Sequence, residues 1–427
     1  MFRHSFLRIV LICLGISIAS HSHAELTVDI TKGTQGAMPI AIVPFGQAGF
    51  RGEAFADIIA SDLAQSGQFS PLSQAQMPER PTPPAAVSFP LWQSAGQEHV
   101  VIGRITSGAT GGYEVEFVLF DAIRGQQVFA EKIPFKSSEG RHTAHRIADL
   151  IYKQLTGDRG IFNTRVAFVS ASGAGKNREY RLEIADTDGQ DAKTIISSPE
   201  PIMSPAWSPD GKKMAYVSFE EGTSAIFVQD LATGERQKVS DAAGINGAPA
   251  WSPDGRELAL TLSKDGSPDI YLLNVVSRSL TRLTRDNSIE TEPNWSPDGR
   301  KLVFTSDRGG KPQLYLVSSV GGEPERLTFE GDYNARGVFS PDGKAVAMVH
   351  GGNGYRIAIM DVGSRHLKIL SRGRQDESPG FSPDGKWVLY ISRIGGGDQL
   401  MAVSLDGKSS HPLDVRAGNV RGAAWSP

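Results

Sequence analysis

The chain has 427 residues, with 44 lysines and arginines against 47 aspartates and glutamates, and its formal net charge is −3. This near-neutral balance excludes the strongly basic surface of proteins that bind nucleic acids or anionic membranes. The single cysteine, Cys13, lies close to the N-terminus, so the rest of the chain can form neither disulfides nor thiolate metal sites.

The first 24 residues are predicted to be a secretory signal peptide. A short basic segment precedes an apolar run at residues 9–19, and cleavage is expected between Ala24 and Glu25. The run is shorter than the roughly 20 residues that cross a bilayer, so we expect export without membrane insertion. A lipoprotein signal is the alternative, but Ile12 precedes Cys13 where lipid attachment needs Gly or Ala.

A nine-residue segment of alternating polarity, residues 25–33, follows the predicted cleavage site. Its apolar residues Leu26, Val28 and Ile30 would share one side of an extended strand. Such a segment can add to the edge of a sheet, in a partner or in the same protein. The pattern fits equally well a plain first strand of the domain that follows.

Residues 34–160 are predicted to form a small α/β domain, in which two helices pack on a mixed sheet. The predicted strands are residues 39–45, 99–105, 113–121 and 127–135, and the predicted helices are residues 54–67 and 142–157. Both helices end at a glycine, the residue that most readily takes the left-handed conformation there. Residues 78–90 contain five prolines and are predicted to be a surface loop.

Residues 161–427 contain a repeat with the period of a β-propeller blade. The motif Trp/Phe-Ser-Pro-Asp-Gly, complete or partial, starts at Trp207, Trp251, Trp295, Phe339, Phe381 and Trp425. The steps are 44, 44, 44, 42 and 44 residues, which is enough for four short strands and their turns. In the other repeats, one strand carries the motif and the next strand follows it. The region begins at residues 165–168 with a strand of the second kind and ends at residues 423–425 with a strand of the first kind. A six-bladed propeller therefore results if the last strand joins the first three; an open solenoid, with two exposed edges, is the alternative.

The residues of the motif have structural tasks. Pro presets φ, Asp bonds back to the backbone and Gly takes the left-handed conformation, so the segment turns between two antiparallel strands. The aromatic residue before the turn is expected to pack between neighbouring blades and to contribute about 1 to 3 kcal/mol per copy. The repetition is therefore explained by architecture first.

Two patterns linked to catalysis are missing or incomplete. No G-x-S-x-G occurs, which argues against a serine-hydrolase elbow. The segment SGAGKN at residues 172–177 is similar to a phosphate-binding loop, but Ser170 replaces the first Gly and Asn177 replaces the Ser or Thr. We predict a hairpin loop at this position.

Two other patterns are similar to metal sites. The run DTDGQD at residues 186–191 resembles the start of a calcium loop, but Ser197 stands at the twelfth position, where Glu is needed. His142 and His145 lie on one helix and would need a third ligand to hold a metal. We interpret the first as a turn and the second as a solvated helix face, so no catalytic, cofactor-binding or metal-binding residue is expected.

Several segments occur in the same order as in a known family. They include PIAIVPF at residues 39–45, LTGDRGIFNTRVAFVS at 155–170, PIMSPAWSPDGKKMAYVSFEEG at 201–222 and TEPNWSPDGRKLVFTSDRGGKPQLY at 291–315. With the signal peptide, the α/β domain and the six blades, the chain resembles the TolB family, periplasmic proteins of the Tol-Pal cell-envelope system. The resemblance covers the mature chain from end to end.

The resemblance implies a periplasmic binding protein and no enzyme. Members of this family bind the lipoprotein Pal through the propeller and the inner-membrane protein TolA through the N-terminal arm, which supports outer-membrane integrity and constriction at division. We expect a monomer without cofactor, metal, nucleic acid or membrane insertion. The predicted TolA-binding residues are Glu25, Leu26, Thr27, Val28, Asp29, Ile30, Thr31, Lys32 and Gly33.

The Pal contact is expected where the loops that enter the motif strands converge, at one mouth of the central channel. The predicted residues are Met203, Ser204, Asn246, Ala248, Thr291, Glu292, Asn334, Arg336, Glu377 and Ser378. For each of them the alternative is that it only begins a strand. Ile245 lies where some relatives have a histidine, so one polar contact to Pal is expected to be missing.

Two other functions remain as alternatives. One is a propeller-based periplasmic hydrolase, which would need carboxylates or histidines clustered in the channel. The other is a small-molecule site in the α/β domain, for which the sequence offers no phosphate loop and no metal-ligand spacing.

Overall fold

The computed structural model describes residues 36–83, 85–108, 111–415 and 419–427. The predicted signal peptide, its cleavage site and the arm at residues 25–33 lie outside the described residues. Within the described ranges, no helix combines the length and the apolar character needed to cross a membrane.

The N-terminal part is a six-stranded mixed sheet with three helices. Its elements are β1 (Met38–Ile42), β2 (Gly46–Gln47), α1 (Phe55–Gln65), β3 (Phe69–Pro71), α2 (Phe89–Ser94), β4 (His99–Ser107), β5 (Tyr113–Asp121), β6 (Gln126–Phe135) and α3 (Gly140–Thr156). The sheet order is β3-β1-β4-β5-β6, with β2 paired to β4. Strands β3, β1 and β4 are parallel, whereas β4, β5 and β6 are antiparallel. The predicted mixed sheet is confirmed.

Both predicted helices are present and end as expected. Gly67 and Gly157 have φ angles of 69° and 82°, the left-handed conformation that stops a helix cheaply. The apolar sides of α1 and α3 share one buried cluster with the inner face of the sheet. This packing stabilises α3, whose opposite side is polar.

Helix α2 begins at the end of the predicted loop at residues 78–90 and was not predicted. The chain is irregular up to Ser88, and a helix then begins at Phe89 with Pro90 in its first turn. Proline is tolerated there because the first turn has no intrahelical partner for its missing N–H. The fully buried Trp92 anchors this helix, and its Nε1 donates to Glu79 Oε1 at 2.8 Å.

The remaining residues form a six-bladed β-propeller, which confirms the predicted fold class. Its strands are β7 (Arg165–Ser172), β8 (Glu179–Asp186), β9 (Lys193–Ser198), β10 (Ile202–Trp207), β11 (Lys213–Ser218), β12 (Ala225–Asp230), β13 (Arg236–Ser240), β14 (Asn246–Trp251), β15 (Glu257–Leu262), β16 (Asp269–Asn274), β17 (Leu280–Arg282), β18 (Glu290–Trp295), β19 (Lys301–Ser306), β20 (Gln313–Ser318), β21 (Glu325–Arg326), β22 (Tyr333–Phe339), β23 (Ala345–Gly352), β24 (Gly354–Asp361), β25 (Leu367–Ile369), β26 (Asp376–Phe381), β27 (Trp387–Ile394), β28 (Gly397–Ser404), β29 (Ser410–Pro412) and β30 (Asn419–Trp425).

The ring closes as the strand count predicts. The last strand, β30, pairs with β7, so that the first blade has the order β30-β7-β8-β9. Ser426 N donates to Arg165 O at 2.8 Å just beyond this pairing. The closure leaves the open-solenoid alternative without support.

Each repeated turn has the geometry that its residues predict. In the third copy, Ser296 Oγ donates to Asp298 Oδ1 at 2.6 Å and accepts from Lys301 N at 3.0 Å, while Gly299 has a φ of 70°. These turns lie at one end of the channel, which we call the turn end. The α/β domain contacts this end, where Asp158 pairs with Lys386 and Trp425 Nε1 donates to Thr164 Oγ1 at 2.8 Å.

Candidate functional site at the distal mouth

The innermost strands of the six blades surround a channel of about 1040 Å³. Arg159, which follows α3, lines it together with the Ser-Pro residues of the turn end. The other opening lies where β10, β14, β18, β22, β26 and β30 begin. We call it the distal mouth, because it faces away from the α/β domain.

The same backbone irregularity occurs near the start of every innermost strand. One residue at an equivalent position in each of these strands has a positive φ. The angles are 51° at Ser204, 47° at Ala248, 56° at Glu292, 54° at Arg336, 56° at Ser378 and 65° at Gly422. The pairing with the second strand of the blade shifts register at each of these positions. Six β-bulges therefore form a ring around the distal mouth.

This ring includes half of the predicted Pal-binding residues. A residue other than glycine in the left-handed region costs about 1 to 2 kcal/mol, and such conformations concentrate at functional sites. Five of the six bulges nevertheless carry a side chain. The bulge turns each of these residues relative to a regular strand, and the ring therefore offers a built surface of side chains at the channel opening.

Two charged residues of the ring are joined across blades. Arg336 Nε donates to Glu292 Oε1 at 2.6 Å, and Arg336 Nη1 donates to Ser378 Oγ at 2.8 Å. Partial desolvation works against the charge on Arg336, but the carboxylates of Glu292 and Glu377 outweigh it and raise the pKa of the guanidinium. The Glu292 and Arg336 side chains remain 25% and 40% exposed, so a partner can still reach them.

Two threonines of the second strands hold this pair in place. Thr305 Oγ1 donates to Glu292 Oε2 at 3.1 Å and accepts from Arg336 N at 3.0 Å. Thr261 Oγ1 accepts from Glu292 N at 3.2 Å. These two residues were not predicted from the sequence; the available signal was a threonine at the fifth position of both β15 and β19, directly after three apolar residues.

Asn246 and Asn334 occupy a different environment from the rest of the predicted site. Both are buried, and their side chains hold the loops that precede the innermost strands. Asn246 Oδ1 accepts from Ser240 Oγ at 2.7 Å, and Asn334 Nδ2 donates to Glu330 O at 2.7 Å. Because their polar groups are already hydrogen-bonded within the protein, these two asparagines hold the loops that shape the mouth.

Ser378 is also buried, whereas the remaining predicted residues are at least partly accessible. Met203 and Glu377 are exposed, and Thr291 is half-buried at the channel wall. Ile245 is also exposed beside them. The structure thus brings most of the predicted residues to one opening.

Exposed apolar side chains extend this opening outward. The loops and strand ends on the same face carry six large apolar residues that are each more than 40% exposed: Met203, Ile245, Ile289, Phe329, Tyr355 and Ile394. A concentration of such residues around polar groups is typical of protein-binding surfaces.

His145 contradicts the predicted solvated helix face. It is buried, its Nδ1 lies 2.7 Å from Asp62 Oδ2, and its Nε2 lies 3.5 Å from Asp186 Oδ2. Burial works against the charged imidazolium, but the carboxylates of Asp186 and Asp62, the second of which is hydrogen-bonded to Nδ1, outweigh it and raise the pKa of His145 to about 10. The pattern failed because helical spacing does not show that a second domain covers this face.

The run at residues 186–191 forms a turn, as predicted, but its carboxylates also bind across the domain boundary. Asp62, His145 and Asp188 place metal-ligating atoms within 4.8 Å of one another. The Arg141 guanidinium already pairs with Asp188 and with Asp186, so a cationic group occupies this position. The cluster is therefore explained as an ion network.

The chain is similar to known proteins over about 95% of its length. The model of the TolB beta propeller domain matches residues 152–427, and that of the TolB amino-terminal domain matches residues 26–128. The Tol-Pal system protein TolB of Methylococcus capsulatus is 63% identical over 405 residues, which are 95% of either chain. The protein of that name from Thioalkalivibrio sulfidiphilus is 59% identical over 411 residues, 95% of this chain and 94% of the relative.

A solved structure agrees with these matches. The crystal structure of TolB from Acinetobacter baumannii superposes with a TM-score of 0.84 at 41% identity, over 92% of this chain and 97% of that one.

Proposed function

Because the chain belongs to the TolB family of Tol-Pal system proteins, we propose that it is a periplasmic binding protein without enzymatic activity. In this proposal the distal mouth binds the lipoprotein Pal, and the arm at residues 25–33 binds TolA. The two contacts together support outer-membrane integrity and constriction at cell division.

The observation that carries the proposal is the construction of the distal mouth. A ring of side chains on strained backbone includes the Glu292–Arg336 pair, and exposed apolar residues lie on the same face. This arrangement combines an apolar contact area with a few oriented polar groups, as protein-binding surfaces do. A lobe of a folded partner domain that enters the channel would contact both.

Binding is favoured over hydrolysis by the ionisable groups of the channel. Among the described residues that line it, these groups are Arg159, Glu292 and Arg336. Hydrolysis of a glycosidic bond needs two carboxylates, and acyl transfer needs a nucleophile beside a base. Glu292 is instead paired with Arg336, which suits recognition of a partner's charged or polar group.

The site is tested by photo-crosslinking with the soluble domain of Pal from the same organism. A photoreactive residue replaces Thr291 at the distal mouth or, as the control, Arg300, which is exposed at the turn end. We expect a crosslinked complex from position 291 and none from position 300. Equal yields from the two positions, or a complex from position 300 alone, would contradict the proposed site.

The arm is tested by a charge on its apolar side. Val28→Asp is expected to weaken TolA binding while Pal binding stays unchanged, because an extended segment binds through one side. Thr27→Asp, which adds the same charge on the other side, is the matched control and is expected to have the smaller effect. Unchanged TolA binding by Val28→Asp would overturn the assignment.

A further inference from the structure

The α/β domain and the propeller have no shared apolar core among the described residues. The two apolar clusters of the α/β domain contain residues up to Phe162, and the six clusters of the propeller contain residues from Val166 onward. An interface without a large apolar contact does not fix the orientation of two domains. That orientation must therefore depend on polar contacts.

The most buried of these polar contacts begin at Arg141 on α3. Its Nε donates to Asp186 Oδ2 at 3.1 Å, and its Nη2 pairs with Asp188 in the turn between β8 and β9. Its Nη1 pairs with Glu53, which precedes α1. One guanidinium thus joins the α/β domain to the first blade of the propeller.

His145 lies one helical turn further and makes a second connection. Its ring bridges Asp62 on α1 and Asp186 on β8, through contacts of 2.7 Å and 3.5 Å. The His145 side chain is 1% exposed and that of Asp62 is 3% exposed. Charges this far from water depend on one another, because removing one leaves its partner uncompensated.

We propose that Asp62, Arg141, His145, Asp186 and Asp188 form an interdomain clamp, and that its two cationic side chains set the orientation of the α/β domain on the propeller. Without either positive charge, the three carboxylates repel one another across the interface. The domains then move about the linker at residues 157–164 while each remains folded. The inference does not depend on which partners the protein binds.

Other contacts between the domains fit the role of a pivot. Thr164 Oγ1 accepts from Trp425 Nε1 at 2.8 Å at the linker. Thr187, which stands between the clamp residues Asp186 and Asp188, donates from its Oγ1 to Phe162 O at 3.0 Å, so the clamp lies beside the linker. The pair between Lys386 and Asp158 is also at the linker and is largely exposed.

The His145 side chain of the clamp is protonated at neutral pH. The carboxylates of Asp186 and Asp62 outweigh burial and raise the pKa of the His145 imidazolium to about 10. The titratable or charged groups that face it are Glu53 and Asp62 near α1, Arg141, His142 and Asp149 on α3, and Asp186 and Asp188 from the propeller. We therefore expect the clamp to open only at strongly alkaline pH.

The test measures the distance between the domains in the mature protein by electron spin resonance. Residues after Cys13 include no cysteine, so Gln127→Cys on β6 and Arg300→Cys on the propeller can carry two spin labels without background. His145→Gln and Arg141→Gln remove one positive charge each. Lys386→Gln removes the exposed interdomain pair, and Arg282→Gln removes a partly buried charge pair within one blade, as matched controls.

We expect one narrow distance in the unmodified protein and in both controls, and a broadened or second distance in His145→Gln and Arg141→Gln with unchanged circular dichroism. If either clamp variant fails to fold, the unmodified protein near pH 10 provides the same comparison, because deprotonation of His145 removes the same positive charge. A single unchanged distance in folded clamp variants would overturn the proposal. Stabilisation by Zn²⁺ that His145→Gln abolishes would also overturn it, in favour of a metal site.

Discussion

The indole Nε1 of Trp295 donates a hydrogen bond to the carbonyl oxygen of Ala250 at 3.2 Å, across a step of 45 residues from one blade to the preceding one. Trp251 makes the same contact to Ala206 at 3.2 Å, and Trp207 closes the ring by binding Ala424 O at 3.1 Å. In these three copies the tryptophan of the motif therefore bonds neighbouring blades as well as filling the space between them.

Trp295→Phe is expected to lower the free energy of unfolding by about 1 kcal/mol, because it removes this hydrogen bond but keeps an aromatic ring. Phe339 occupies the equivalent position in the next blade, so the substitution is compatible with the fold. Trp295→Ala is expected to cost about 3 to 5 kcal/mol through the lost volume. Urea unfolding measures both values; equal losses would show that the hydrogen bond, and not the ring, dominates.

Ala248→Gly is expected to raise the free energy of unfolding by about 0.5 to 1 kcal/mol, because Ala248 has a φ of 47° and glycine adopts such angles without a penalty. Ala250→Gly, two residues further along the same strand, is the matched control and is expected to destabilise. Urea midpoints compare the two variants. A loss of stability in Ala248→Gly as large as that in Ala250→Gly would contradict the strained bulge.

Stability is expected to fall between pH 6.5 and 10 because of His145. Its pKa is about 10 in the folded protein and 6.5 without the environment of the fold. A pKa raised by folding contributes stability that is complete below pH 6.5 and is lost as pH rises through 10, at most a few kcal/mol. Asp149, whose pKa burial raises to about 6, titrates below this window.

Thermal unfolding of the unmodified protein and of His145→Gln across this pH range measures the effect. The unmodified protein should lose stability as pH rises, whereas the difference between the two should shrink toward pH 10. A difference that stays constant with pH would show that His145 is neutral in the folded state.

Pal and TolA are expected to influence one another's binding. If the free arm reaches TolA and otherwise folds back, Pal binding shifts that balance by about 1 to 3 kcal/mol, and TolA shifts Pal affinity by the same factor. Calorimetric titrations of each partner, with and without the other, measure both factors. Equal TolA affinity with and without saturating Pal would exclude the coupling.

The propeller could be predicted from the sequence because its turn motif acts locally and is repeated at a regular spacing. Pro, Asp and Gly specify a turn without help from other parts of the chain, so the copy at residues 295–299 forms as expected. The period of the motif then gives the number of blades. Helix α2 was missed because it has only six residues, one of them Pro90, and is stabilised by Trp92, which distant residues bury.

The site was predicted by position more than by chemistry. Loop convergence placed Glu292 and Arg336 at one opening, but their ion pair joins residues of different blades and has no local signature. The sequence gives no signal for the left-handed bulges either, because Glu292 and Arg336 do not favour a positive φ. The burial of Asn246 depends on the loop that folds over it, and the burial of His145 depends on the docking of a second domain.

Isothermal titration calorimetry with the soluble domain of Pal measures whether Pal binds the distal mouth through the Glu292–Arg336 pair. Glu292→Ala removes the carboxylate that orients Arg336, and we expect it to weaken Pal binding by about 1 to 3 kcal/mol. Asp298→Ala, in a turn at the other end of the channel, is the control and is expected to leave the affinity unchanged. Saturable binding that only Glu292→Ala weakens is the predicted result, whereas no binding, or equal affinity of all three proteins, would contradict the claim.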